Sequence, residues 1–288
     1  MRSRSDGAAL TREYLDALKH QRRLSAATLR NYTHAIGLLL KETTALEALE
    51  PAQARRYIAM LHAKGASPRT LALTLSAWRG LYRWLARHRG FAANPVLGIR
   101  APRAGRPLPK ALSVEAAQRL LDGDFEKSPL NLQDAAMFEL LYSSGLRVAE
   151  LAALDLSDEP WQGEVTVTGK GSKTRTVPVG AKARAALEQW LSARRQVCPT
   201  GDKALFVGAR GRRITPSRVW QRLGAWARRR GLAEHVHPHM LRHATGYKLA
   251  NDGHDTRAIQ QYLGHRNITH SVRYTELSPD RFNSFWQD

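Results

Sequence analysis

His237-Pro238-His239-Met240-Leu241-Arg242-His243, then Leu263-Gly264-His265, then Arg273-Tyr274-Thr275, are three short runs that place His, Arg, His and Tyr within fewer than forty residues. Pro238 suits the first turn of a helix, where its missing N–H costs nothing. His239 and Arg242 then stand at i and i+3, so both side chains leave from one face. Gly264 stops the next helix and leaves His265 just past its end. Tyr274 follows nine residues later. Arginine holds a phosphate in a planar fork, histidine donates or relays a proton, and tyrosine offers an oxygen nucleophile. Together they point to attack on a phosphodiester.

Each of these residues alone reads as core or surface. A second reading takes His235, His237, His239 and His243 as metal ligands. Their spacing is too dense for one tetrahedral site, no carboxylate cluster accompanies them, and the chain has a single cysteine, Cys198. No metal and no cofactor are therefore expected. Gly169-Lys170-Gly171-Ser172-Lys173 is too short for a nucleotide-binding loop and opens no helix, so ATP binding is not expected either.

The phosphate reading gains from the charge. The 288 residues carry 45 Lys and Arg against 25 Asp and Glu, a net charge of +20, which suits a polyanionic partner. From Pro51 through Val114 there are twelve basic residues and no acidic one, whereas an ordinary solvated surface mixes signs. That block is expected to contact nucleic acid. Arg69, Arg79, Arg83 and Arg87 lie along one predicted helix and Arg103 lies in the stretch after it; these are the candidate DNA-binding residues.

A chain of this length suffices for two domains. One cysteine excludes a disulfide framework and fits a reducing compartment. Residues 1–16 hold no apolar signal-peptide core, and no run of about 18 apolar residues exists to span a membrane. A cytoplasmic location is expected.

The first hundred residues read as helices: Leu10 to His20, Ser25 as an N-cap to about Thr43, Pro51 to near Gly65 with Ile58 and Leu61 inward, and Ser67-Pro68 to Gly90. The stripe Trp78, Leu81, Tyr82, Leu85 reads as core rather than as a base-stacking platform. Residues 94–110 hold Pro95, Pro102, Pro107 and Pro109 and read as an extended basic connection. The expected division is a helical unit over 1–97, a linker over 98–111 and a second unit over 112–288.

In the second unit Ser113 caps a helix through Leu121, and further helices cover about 130–144, 146–154, 181–196 and 216–230. Residues 164–168 and 174–179 alternate as two strands with Lys170 in the turn between them. Residues 204–207 read as a further short strand. Arg147 is expected in the first turn of its helix, where a cation opposes the macrodipole, so it reads as a phosphate ligand sharing an anion site with backbone N–H groups. Glu150 is placed to orient a neighbouring cation. Ser278 and Pro279 begin a last short helix whose Phe282, Phe285 and Trp286 share one apolar face.

With these residues placed, the chain resembles the tyrosine recombinase family and, over its full length, the Xer recombinases. The family's motif residues fall in order on Arg147 in Gly145-Leu146-Arg147-Val148-Ala149-Glu150-Leu151, Lys170 in the hairpin, His239 and Arg242 in His-x-x-Arg, His265 in Leu-Gly-His, and Tyr274. The resemblance implies a mainly α fold with a small β-sheet: an N-terminal helical SAM-like core-binding domain and a C-terminal α+β catalytic domain. It implies metal- and ATP-independent strand exchange through a 3′-phosphotyrosyl link on Tyr274, with Arg147 and Arg242 on the phosphate, Lys170 as general acid, His239 handling the tyrosine proton and His265 bonding the phosphate. The implied partners are a double-stranded DNA recombination site, a paralogous recombinase in a tetramer and a septal DNA translocase, serving resolution of chromosome or plasmid dimers at cell division. Residues 244–247 and 262–268 look more like the recombinases that invert fimbrial promoter switches, so integration or inversion is the alternative outcome. A type IB topoisomerase and a non-catalytic DNA-binding protein are the more distant readings.

Overall fold

The computed structural model describes residues 7–20, 24, 26–43, 45–103, 112–169, 174–198, 201–208, 210–232, 235–265 and 267–275. Ser25, Arg106, Pro107, Pro109, Lys110, Lys170 and the segment 276–288 lie outside them. The chain divides into two compact units, Met1–Arg106 and Pro107–Asp288.

In the first unit four helices are described: α1 (Gly7–His20), α2 (Ala26–Glu42), α3 (Pro51–Ala63) and α4 (Pro68–Arg89). Local signals set their ends. Ser67 caps α4 by accepting a bond from the Thr70 N–H at 3.1 Å, Pro68 occupies the first turn, and Gly90 closes the helix in the left-handed region at φ 70°. On α4 one face is core: Leu71, Leu75, Trp78, Leu81, Tyr82 and Leu85 are buried. The Trp78 Nε1–H donates to the Ala35 carbonyl at 2.7 Å and the Tyr82 hydroxyl to the Leu46 carbonyl at 2.9 Å. The aromatic stripe is thus core, as its spacing predicts. Leu61 of α3 is only half-buried, while Ile58 and Tyr57 carry the inward face.

Arg69, Arg83 and Arg87 recur at near-multiples of a helical turn on the opposite face of α4, and all three are exposed, as is Arg103. Arg79 differs. Its guanidinium donates to the carbonyls of Val96 and Ile99, and its own carbonyl accepts from Asn94. It pins the segment after α4 to the helix, so the expectation of Arg79 as a phosphate ligand gives way to a structural role.

The second unit is built on α6 (Pro129–Ser144), which follows α5 (Val114–Leu121). Leu132, Ala136, Met137, Phe138, Leu140 and Leu141 are buried on more than one face of α6, the pattern of a central helix. Its polar residues are spent inside. Gln133 donates to the Val207 carbonyl at 2.9 Å and accepts from the Val207 N–H at 2.7 Å. Asp134 pairs with Arg222. Against α6 pack α7 (Val148–Ala153), α8 (Ala181–Arg194), α9 (Pro216–Arg229) and α10 (Pro238–Asn251), while α11 (Thr256–Leu263) and α12 (Thr269–Thr275) pack on α10 and on each other. Strands β1 (Glu164–Thr168) and β2 (Thr174–Pro178) form one antiparallel pair with Thr166 opposite Thr176.

The strand expected at 204–207 does not form. That buried segment makes only isolated bridges, Asp155 with Ala204 and Val207 with Arg213. The Leu205 N–H donates to the Leu154 carbonyl and the Ile214 N–H to the Phe206 carbonyl. With the Gln133 amide also on Val207, the backbone is satisfied without a ladder. Among the described residues no helix is long and apolar enough to cross a membrane.

Candidate active site

Arg147 is the N-cap residue of α7, extended at φ −74° and ψ 147°, with the helix beginning at Val148. The anion expected at this helix start is supplied by the chain itself. Glu150 takes the Arg147 N–H on Oε2 at 2.8 Å and the Arg147 guanidinium on Oε1 at 2.6 Å. The Arg147 N–H, one of the backbone donors expected to share a phosphate there, is thus taken by the Glu150 carboxylate. Arg175 of β2 grips the same carboxylate in a fork at 2.9 and 2.8 Å. Burial alone would raise the Glu150 pKa; the bonds from Arg175 and from the Arg147 N–H and guanidinium overturn that and hold it at about 2. Glu150 is therefore the anion that fixes two cations, as its place one turn beyond Arg147 predicts.

Both arginines of the motif also fasten one turn. Arg147 Nη2 donates to the Gly264 carbonyl at 2.7 Å, and Arg242, buried on α10, donates to the carbonyls of Gly145 and Leu263. Arg175 Nε donates to the Tyr262 carbonyl at 3.0 Å. Gly264 caps α11 at φ 62°, and a Cβ there would stand 3.0 Å from the Arg175 side chain, so both the backbone and the space require glycine. Three guanidiniums thus converge on the end of α11 and hold His265 beside them. Burial, and next Arg147, press the Arg242 pKa downward, yet a guanidinium keeps its proton at any ordinary pH.

His265 hydrogen-bonds Ser271 through Nδ1 at 2.9 Å, leaving Nε2 for another partner. Burial first, then Arg242 and Arg147, depress its pKa to about 3, so it stands neutral at pH 7. His239 is shifted down by the same kinds of cause: burial, then Arg242 and Arg147. Tyr274 is buried on α12, with its hydroxyl 2.7 Å from His243 Nδ1. Its ring lies on Gly246, stacks on His265 at 6.2 Å between centroids and meets Tyr247 edge-on at 5.1 Å.

These groups line one cavity of about 390 Å³: Arg147, His239, Arg242, His243, His265, His270 and Tyr274. Five of the six expected catalytic residues are brought together there; Lys170 falls outside the described residues, between β1 and β2. The sequence gives His270 and Arg175 no role, and His243 only that of a metal ligand in the reading set aside. For Arg175 a signal existed, since it takes the inward phase of β2 together with buried Val177, and an arginine on an apolar face calls for a carboxylate partner. Among the described residues no group of three or more His, Cys, Asp or Glu is arranged to hold a metal ion.

Comparison with known proteins agrees with this arrangement. Residues 110–281 match the phage integrase family, and residues 11–89 match the phage integrase N-terminal SAM-like domain. Tyrosine recombinase XerC 1 of Ralstonia nicotianae is 42% identical over 288 residues, covering 92% of this chain and 88% of that relative. Tyrosine recombinase XerC of Azotobacter vinelandii is 43% identical over 270 residues, covering 92% and 90%. In fold, the chain is similar to XerH site-specific recombinase bound to a palindromic difH substrate (20% identity, 98% and 85% covered, TM-score 0.74) and to a lambda integrase tetramer bound to a Holliday junction (18% identity, 97% and 79% covered, TM-score 0.76). The two-unit, mainly helical fold with its small strand pair, the arginine-clamped cavity and these matches lead to one conclusion: the chain belongs to the phage integrase family and is a tyrosine recombinase of XerC type, an enzyme of site-specific DNA strand cleavage and rejoining.

Proposed function

We propose that the cavity carries out phosphoryl transfer on duplex DNA with Tyr274 as nucleophile. The observation that carries the reading is the cavity itself, where two fixed guanidiniums, four imidazoles and a phenol line one space. Tyr274 Oη attacks the scissile phosphorus, the bond to the 5′-oxygen breaks, and a 3′-phosphotyrosyl link is left beside a free 5′-hydroxyl. Arg147 and Arg242 stabilise the charge that develops on the non-bridging oxygens, the work divalent cations do elsewhere. They are held in place before DNA arrives, by Glu150 and by the carbonyls of Gly145, Leu263 and Gly264. His265, with Nδ1 fixed on Ser271, offers Nε2–H to the phosphate, and His239 adds a second neutral donor. Lys170 is the general acid for the leaving 5′-oxygen. The covalent link keeps the energy of the broken bond, so a 5′-hydroxyl from a partner strand reverses the step without ATP.

The division into a helical unit over 1–97, a linker over 98–111 and a catalytic unit over 112–288 belongs to this reading. Arg69, Arg83, Arg87 and Arg103 are its phosphate contacts outside the cavity, supported by their exposure and, on α4, by their common face. Resolution of chromosome or plasmid dimers in the cytoplasm at cell division, by a tetramer shared with a paralogous recombinase and coupled to a septal DNA translocase, is the role that the XerC likeness favours. The likeness in fold to lambda integrase, seen as a tetramer bound to a Holliday junction, supports the assembly. Crosslinking the protein to its genome would locate its site. Two copies of that site on a plasmid are then expected to recombine in the presence of a chelator and without nucleotide. A requirement for a divalent metal or ATP would overturn the mechanism.

A further inference from the structure

The family resemblance implies that His239 handles the tyrosine proton. The structure places a different imidazole on the tyrosine oxygen. His243 Nδ1 lies 2.7 Å from Tyr274 Oη, with the two rings 5.8 Å apart and inclined by 50°. His243 and Gly246 are three residues apart on α10 and present one face to the phenol. The ring rests on Gly246 so closely that a Cβ there would stand 2.7, 2.8 and 2.9 Å from its Cζ, Cε1 and Cε2 atoms. Tyr247, the next residue, closes the ring's edge. The phenol is therefore held along its length, and the position of its oxygen against His243 follows from that seat.

Three other imidazoles line the cavity, and His270 meets His265 edge-on with ring centroids 5.9 Å apart. His265 has Nδ1 on Ser271 and meets Tyr274 by ring stacking. His239 lines the cavity together with Arg242 and Arg147, whose charges act on it. His243 also lines the cavity, so the proton and the attacking lone pair share one space.

Resting on Tyr274 as the nucleophile, we propose that His243 is a further catalytic residue, the base that accepts the Tyr274 proton during attack. A free phenol, with a pKa near 10, is a weak nucleophile at neutral pH, and an imidazole nitrogen at hydrogen-bond distance that takes the proton relieves that in the transition state. The step balances. The Oη–H bond breaks and its proton passes to His243 Nδ1; the oxygen lone pair forms the bond to phosphorus; the phosphorus–O5′ bond breaks; and O5′ leaves with a proton from the acid assigned to Lys170. In rejoining, the His243 imidazolium returns its proton to the departing phenolate.

The test uses the full chain on a nicked suicide duplex, following covalent adduct by denaturing gel and DNA binding separately. His243→Gln keeps a side chain that can hydrogen-bond the phenol but cannot take its proton; His243→Ala opens space for a small base. Both are expected to bind DNA and to form adduct about 10²-fold more slowly than the unaltered protein, the ordinary scale for a lost general base. Imidazole in solution is expected to restore rate to His243→Ala. A 5′-phosphorothiolate substrate, whose leaving group needs no acid, is expected to leave both variants slow. Adduct formation by His243→Gln at the unaltered rate would overturn the proposal, since a hydrogen bond alone would then suffice. Full recovery on the phosphorothiolate would also overturn it, by placing His243 on the acid side. Adduct formation by Tyr274→Phe is a separate failure, that of the nucleophile assignment.

Discussion

Gly246→Ala separates the seat of the nucleophile from ordinary helix energetics. In the interior of a helix the change should stabilise by about 1 kcal/mol, because alanine loses less backbone freedom than glycine. Here the added methyl would stand 2.7–2.9 Å from three ring atoms of Tyr274. Comfortable carbon contacts begin near about 3.5 Å, so ring and helix must part by roughly 0.7 Å. Such overpacking costs about 1–3 kcal/mol. The two terms nearly offset, leaving a net loss of about 0–2 kcal/mol and a melting temperature lowered by no more than about 8 °C for a unit of this size. Catalysis has no offsetting gain. The displaced ring carries Oη away from His243, and a misplacement of this order costs roughly 10-fold or more in rate. Thermal melting and the rate of adduct formation on the suicide duplex, run on one preparation, read the two terms separately. A variant that melts higher and cleaves at full rate would show that the ring does not rest on Gly246 when the enzyme works.

Glu150→Gln leaves Arg147 and Arg175 without the carboxylate they share; removing one partner of a buried ion pair costs about 3–5 kcal/mol, so urea unfolding should show a loss of that size, and a loss below about 1 kcal/mol would refute the shared anchor. Acid should destabilise the protein in two windows. As pH falls below the ordinary histidine value near 6.5, the unfolded chain takes up a proton that folded His265 refuses until about 3, so stability drops, and His265→Gln should flatten that fall by up to one proton. The Glu150 contribution is present above the ordinary carboxylate value of 4.5 and is lost as pH falls toward 2, so Glu150→Gln should flatten the lower window alone. On the first unit, Arg83→Glu with Arg87→Glu should weaken DNA binding for all sequences alike and make the log–log salt slope shallower by about 1.8, whereas Arg79→Glu should chiefly lower thermal stability. An unchanged salt slope in the double variant would remove α4 from the interface.

The helices were legible because their ends are written in single residues. Ser67 with Pro68, Ser113, Pro216, Pro238 and Gly264 stand where the spacing puts them. The segment 204–207 misled because it is apolar and buried like a strand, while the Gln133 amide, distant in sequence, satisfies its backbone. Arg147 was legible as a site residue but not as the N-cap, since only the folded turn shows that Glu150 supplies the anion. Arg79 misled for a related reason: an arginine on a basic helix looks like its neighbours until the carbonyls of Val96 and Ile99 come within reach. His243 stood out in the sequence only as one of four closely spaced histidines, which suggested a metal and not a base. Its role depends on α12 laying Tyr274 across α10, a contact between residues 31 apart in sequence.

The central claim is that Tyr274 forms a covalent bond to DNA within the arginine-clamped cavity. The direct measurement digests the adduct from the nicked suicide duplex with protease and nuclease and locates the nucleotide by mass spectrometry, with Tyr274→Phe alongside. The account predicts a 3′-linked nucleotide on the peptide containing Tyr274, and a Phe variant that binds the same DNA and yields no denaturant-resistant complex. A nucleotide on any other residue, or an adduct that persists in Tyr274→Phe, would contradict it.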